Sequence, residues 1–291
     1  MKQKYIFMAL VAMLLSACKN STDEPQPSEG EGHITFQVIN YQQFSIDDDD
    51  DESTRVSVSN VDHLDMAIYD ASTNALVNHI HQAKDADGYG AFSATLPYGT
   101  YKVVFLGYKG SRTANVDNIE AISYLDDYVP DFFSKTLDIT IDKPETEARN
   151  VSLTRRVAAF KLGSRGDNPS NLSSLTIESK GGSHHFNALT NCGAQTENRS
   201  YRFDVSAKAG KDTLSVTVFT FLTDAESTMN FTATARDANE NILRQRTFTN
   251  VPMCISQRTQ YNGYFFEEDK SATGFTLLLE DGDFTNELYT Y

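Results

Sequence analysis

Tryptophan is missing altogether: the 291 residues include 14 Tyr and 18 Phe but no Trp. Sugar-capturing surfaces lean on flat aromatic faces, indole above all, which counts against a glycan platform. Most of the rings alternate along strand-like runs, where packing into a core is their ordinary use. Basic residues are short as well, with Lys+Arg at 25 against Asp+Glu at 40 and a formal net charge of −15. A surface of that sign repels phosphate backbones, which argues against nucleic acid as a partner. The chain has no G-x-S-x-G elbow, no H-E-x-x-H helix and no glycine-rich phosphate loop. The expectation is a protein that is not an enzyme, with no catalytic set, no metal-ligand set and no cofactor. Cysteine is scarce, three in all. Cys192 and Cys254 lie in the body of the chain, either paired or as two buried thiols, and no spacing rule chooses between these.

What is present begins with a leader. "MKQKYIFMALVAMLLSAC" carries Lys2 and Lys4, an apolar run from Tyr5 to Leu15, and small residues before Cys18. That is a secretory signal over residues 1–17, too short and wrongly flanked for a membrane-spanning helix. Leu15-Ser16-Ala17-Cys18 resembles the bacterial lipobox, which implies a lipid on Cys18 and cleavage just before it. Several acyl chains, at roughly 0.8 kcal/mol per buried CH₂, would hold the protein firmly to the outer membrane. The next stretch, "KNSTDEPQPSEGEG", has no apolar residue and reads as a flexible tether over 18–32. Its Asp23-Glu24 pair is similar to the acidic export signals of surface lipoproteins in Bacteroidota.

From there on, apolar residues recur with period two, the mark of a half-buried strand. Ile34, Phe36 and Val38 alternate with Thr35 and Gln37, and Leu64, Met66 and Ile68 with Asp65 and Ala67. Phe92, Ala94 and Leu96 lead into "PYGT", a turn composition, and Tyr101, Val103 and Phe105 follow. "NIEAISYL", Asn118 to Leu125, reads as a short helix. The second half repeats the strand pattern, with "DANEN", Asp237 to Asn241, as a hairpin turn. The fold class expected is all-β: two tandem antiparallel β-sandwich domains over 33–149 and 150–291.

The polar residues offer little chemistry. His79 and His81 would share one strand face, but nothing near them in sequence completes a ligand set, so an exposed polar face is expected. His184 and His185 follow "KGGS" and would point to opposite faces as loop residues. The run Asp47 to Glu52 lacks the alternating spacing of a calcium loop.

Three stretches resemble the fimbrillin family, subunits and anchors of type V pili in Bacteroidota. They are "LPYGTYKVVFLG" (Leu96 to Gly107), "NVSLTRRVAAFKL" (Asn150 to Leu162) and "FTNVPMCISQRTQYNGYFF" (Phe248 to Phe266). The resemblance implies two transthyretin-like domains and a structural, adhesive life at the cell surface or in a fimbrium. Its implied partners are other fimbrial subunits joined by strand addition, the outer membrane through Cys18, and surface receptors. In stalk subunits of this family a protease cuts after a basic residue in a loop behind the first strand, which is then shed. Arg55, the only Lys or Arg between Lys19 and Lys84, marks that site, with Val56 as the new first residue. A plain exposed loop arginine is the other reading, and the other roles are an anchor that keeps both lipid and first strand and an accessory tip subunit. A surface glycan-binding lipoprotein is the alternative outside the family. In the tail 273–291, Phe275, Leu277 and Leu279 form one apolar face, either an edge strand of the second sandwich or a donor strand for a neighbour.

Overall fold

The computed structural model describes residues 30–42, 55–57, 61–125, 128–145, 148–267, 275–280 and 288–290. Among them there is no α-helix, and none is therefore long and apolar enough to cross a membrane. The chain is all-β.

The first half contains β1 (Glu31–Gln42), β2 (Arg55–Ser57), β3 (His63–Asp70), β4 (Leu76–Ala83) and β5 (Ala91–Pro97). It continues with β6 (Gly99–Tyr108), the short β7 (Ala114–Asn115) and β8 (Ser123–Tyr124), then β9 (Phe132–Ile141) and β10 (Arg149–Arg155). Eight of these strands form one sheet in the order β2-β1-β10-β9-β6-β3-β4, with β5 attached to β1. The sheet folds over itself. Ile34, Phe36 and Val38 of β1 and Phe92, Ala94 and Leu96 of β5 share a core with Leu64, Met66 and Ile68 of β3 and Tyr101, Val103 and Phe105 of β6. Phe105 takes Phe36 and Phe92 edge-on at 5.0 and 5.9 Å, the favourable sense for ring quadrupoles. "PYGT" therefore does more than turn a hairpin: β5 and β6 do not pair, and the chain steps there from one layer to the other.

The second half contains β11 (Ala158–Arg165), β12 (Leu172–Lys180), β13 (Phe186–Asn187), β14 (Cys192–Gly193) and β15 (Asn198–Asp204). A 3₁₀ turn at Ser206–Lys208 precedes β16 (Thr213–Thr220), β17 (Glu226–Asp237), β18 (Ile242–Cys254), β19 (Arg258–Gly263), β20 (Phe275–Glu280) and β21 (Leu288–Thr290). Two sheets, β16-β11-β19-β20-β21 and β15-β12-β17-β18, face each other. Phe160 of β11 stacks flat on Phe231 of β17, centroids 4.0 Å apart, at the centre of that core. "DANEN" is the expected hairpin turn: Asp237 Oδ1 accepts from the N–H groups of Asn239 and Asn241 while Glu240 takes φ +66°.

A third apolar cluster joins the halves. Ala67 and Tyr69 of β3 and Val104, Leu106 and Tyr108 of β6 meet Ile119, Ile122, Phe132, Val157, Phe186 and Phe221. Both faces of β3 and β6 are thus covered, where period two had predicted one.

Three sequence expectations are corrected. The tether ends two residues sooner than 18–32, since β1 starts at Glu31 and pairs with β5 from Glu31↔Pro97. Residues 150–155 belong to the first sheet, not the second half: β10 pairs with β1 and β9, and Val151 and Leu153 enter the first core. The segment Asn118 to Leu125 is not a helix. Asn118 Oδ1 accepts from the Glu120 N–H, a local turn that competes with helix. Ile122 then bridges to Phe186, so the i, i+3 spacing of Ile119 and Ile122 serves the cross-half cluster instead.

Candidate functional site

The N-terminal strand is built into the first core on both edges. β1 runs antiparallel to β5 through Gln37↔Ala91, shifts register between Val38 and Asn40, and runs parallel to β10 as far as Gln42↔Thr154. Ile34, Phe36 and Val38 are almost fully buried. Taking β1 away would leave two strand edges unpaired and uncover Phe92 and Phe105. Arg55 and Val56 open β2, across from Gln42 and Tyr41. Arg55 is thus the first residue of a strand rather than part of a loop, and a protease would need β2 to open first. Cys18 and the run Asp47 to Glu52 lie outside the described residues.

At the other end, β20 lies antiparallel to β19 with Gly263↔Phe275, Tyr261↔Leu277 and Thr259↔Leu279, and β21 extends the same sheet. The three sequence candidates of the tail therefore stand in the second half's own sheet. Cys192 and Cys254 are both half-buried and are not joined in a disulfide.

The junction of the halves carries a buried ion pair. Arg155, wholly buried, donates through Nε to Asp131 Oδ1 at 2.8 Å and through Nη2 to Oδ2 at 2.9 Å. Its guanidinium lies over the Phe133 ring at 4.9 Å, and Lys109 Nζ stands 3.6 Å from Asp131. The bidentate fork satisfies a carboxylate that burial would otherwise make costly.

Two histidine clusters flank that junction. His79 Nε2 and His81 Nδ1 lie 2.6 and 3.0 Å from the same atom, Oδ1 of Asp65, which is 1 % exposed. Burial alone would raise the Asp65 pKa, but hydrogen bonds from the two imidazoles bring it below the usual carboxylate range. The same bond raises His81. His63 stacks on His81 at 5.2 Å and contacts Gly110 O through Nε2 at 2.8 Å. The pair of histidines is therefore no plain exposed face. The signal was present in the sequence: a hairpin register sets Asp65 opposite His81.

The second cluster corrects an expectation. His184 and His185 converge, rings 4.1 Å apart, and both reach Glu197. The alternation of faces holds only along an extended strand. Here Ser183 forms an isolated bridge to Phe221, and a bend at His184 and His185 turns both side chains one way. Burial, then the neighbouring His185, holds the His184 pKa below the ordinary imidazole value.

The model of the family described as "Fimbrillin-A associated anchor proteins Mfa1 and Mfa2" matches residues 28–262 of the chain. Among solved structures, a candidate adhesin of Bacteroides ovatus superposes with a TM-score of 0.53 at 12% identity, covering 90% of this chain and 95% of that one. A second structure of a candidate adhesin from Bacteroides ovatus gives 0.51 at 12% identity over 76% and 83%. A Bacteroides thetaiotaomicron structure, described as a candidate polysaccharide-binding protein, gives 0.51 at 9% identity over 89% and 98%. At these identities the likeness is one of fold. No curated protein matches the chain.

Proposed function

The chain belongs to the family of fimbrillin-A associated anchor proteins, and on that premise we propose that it is a fimbrial anchor or accessory subunit that supports adhesion and performs no catalysis. The family match over residues 28–262 carries the reading. Membership implies a place in a fimbrium or at the cell surface. The finer picture is our inference: export by the 1–17 leader, a lipid on Cys18 holding the protein at the outer membrane, and two transthyretin-like domains that change over at Arg156. Other fimbrial subunits would join by strand addition, which pairs exposed edge groups and fills apolar pockets in one step.

Deletion of the gene should remove or shorten surface fibres under the electron microscope. Unchanged fibres with failed growth on one polysaccharide would instead favour sugar capture. The anchor role is favoured over a stalk role by the family's description as anchor proteins, and in that role β1 would keep its pairing on both edges. N-terminal sequencing of protein from surface fibres tests that choice. A blocked, lipidated Cys18 fits the anchor, and a chain beginning at Val56 would make it a stalk subunit.

A further inference from the structure

We propose that His184, His185 and Glu197 form a binding site for a transition-metal ion of the zinc class, which staples the β13–β14 hairpin to the start of β15. The inference stands apart from the fimbrial reading, because it rests on donor chemistry alone. One ligand atom from each of the three residues lies within 4.8 Å of the others. His184 Nδ1 is 2.9 Å from Glu197 Oε2, and His185 Nδ1 is 3.6 Å from Oε1. Two imidazole nitrogens and a carboxylate, with a fourth position left to water, make up a familiar zinc donor set. Nitrogen ligands select for zinc, copper or nickel over calcium or magnesium.

The backbone holds the three donors in place before any ion arrives. Ser183 and Phe221 exchange both main-chain hydrogen bonds, at 2.7 and 3.0 Å. The Ser183 hydroxyl donates to His185 O and accepts from the His185 N–H. Ala194 N–H donates to His185 O, and Glu197 N–H donates to Gly182 O at 2.8 Å. Gly182 holds φ +78°, and a Cβ there would collide with the Thr220 hydroxyl, so glycine is what lets the loop close. Gln195 donates to Glu197 Oε1 at 2.6 Å and orients the carboxylate, as outer partners of metal ligands do.

Protein atoms alone leave the cluster in conflict. His184 Nδ1 sits 3.1 Å from the Arg199 Nε–H donor and 2.9 Å from the Glu197 acceptor. A single ring nitrogen carries a proton or a lone pair, so it can meet one of these demands and not both. His185 Nδ1 is buried with no hydrogen-bond partner, a costly state for a polar atom. A cation accepts lone pairs from both nitrogens and the carboxylate together, and its binding requires the half-buried Arg199 to give up its contact with His184. The ion would act on the joint between the halves. Phe186 follows His185 directly, bridges to Ile122 and packs on Phe132 and Phe221 at 4.9 and 5.4 Å.

The test is a calorimetric titration of the full chain with Zn²⁺, followed in parallel through the histidine ring nitrogens by NMR. One equivalent should bind, the Nδ1 signals of His184 and His185 should shift, and those of His33, His63, His79 and His81 should stay in place. The melting midpoint should rise with Zn²⁺ and fall back on adding EDTA. Glu197→Gln and His185→Ala should each weaken binding by more than about tenfold and abolish the rise in midpoint. Absence of binding, or binding that leaves the His184 and His185 nitrogens unmoved, overturns the proposal. So does a folded Glu197→Gln protein that binds as tightly as the parent. If a variant fails to fold in EDTA, the nitrogen shifts of the unaltered chain decide the matter alone.

Discussion

The two halves of the molecule close their cores by different means. The first half uses one eight-stranded sheet folded over itself, completed by β1, a strand from the start of the chain that reaches forward to β10. The second half faces two separate sheets through Phe160 and Phe231, with its most C-terminal strands added at one margin. One half is closed by its most detachable segment; the other is closed by internal strands and merely widened by its tail. Strand loss should therefore hurt the first half far more than the second.

The sharpest way to break that contrast is to delete residues 31–42. Ile34, Phe36 and Val38 leave the first core, each contributing roughly 1.5–3 kcal/mol against a whole-domain stability of only about 5–15 kcal/mol. The first half should lose cooperative folding while an unfolding transition assigned to the second half survives. Fluorescence and circular dichroism in urea would follow both. A first half that still folds would mean β1 is dispensable and the contrast false.

Next in size comes the junction pair. Arg155→Met leaves Asp131 buried with only Lys109 at 3.6 Å. The expected loss lies toward the lower end of roughly 3–5 kcal/mol, with Arg155→Met/Asp131→Leu recovering most of it. Urea midpoints of both variants measure this. A double variant no better than the single would show that the fork holds the halves together by geometry as well as charge.

Truncation after Thr273 probes the margin of the second half. Losing β20 and β21 should lower the melting midpoint by a few degrees, about what 1 kcal/mol does in a chain of this size. An unchanged midpoint together with failed fibre assembly would assign the tail to a neighbouring subunit instead.

The smallest effect is the pH dependence that Asp65 and His81 give the first half. The lowered Asp65 stabilises above the ordinary carboxylate pKa, and that contribution is lost as pH falls through its folded value, below 3.8. The raised His81 stabilises below the ordinary imidazole pKa, and its share is lost as pH rises through its folded value, above 6.5. The first half should gain most between about pH 4 and 6.5, and Asp65→Asn should flatten that window in a pH series of urea midpoints. A window that persists in the variant would point to other titrating groups.

Much of this was legible in the residues. Alternation placed Ile34, Phe36, Val38, Leu64, Met66 and Phe105 in a core, and composition placed Asp237 to Asn241 in a turn, because side-chain direction and turn chemistry are local. The pairing of β1 with β10 was not legible, since no local rule connects residue 36 with residue 149. The double burial of β3 was hidden for a related reason: Ala67 and Tyr69 are covered by Phe186 and Phe221, contributed by the other half. At the metal-site candidates, alternation was applied to a bend where it does not hold. Asp65, by contrast, could have been found, since a buried-strand acid directly across a hairpin from His81 needs a partner.

The parallel pairing of β1 with β10 also has a mechanical side. A chain held at its first strand and pulled from beyond Arg155 draws these two neighbours in opposite directions along their length. The hydrogen bonds between Phe36↔Arg149 and Gln42↔Thr154 then share the force all at once, as a glued lap joint does, whereas an antiparallel hairpin pulled at its open end peels one bond at a time.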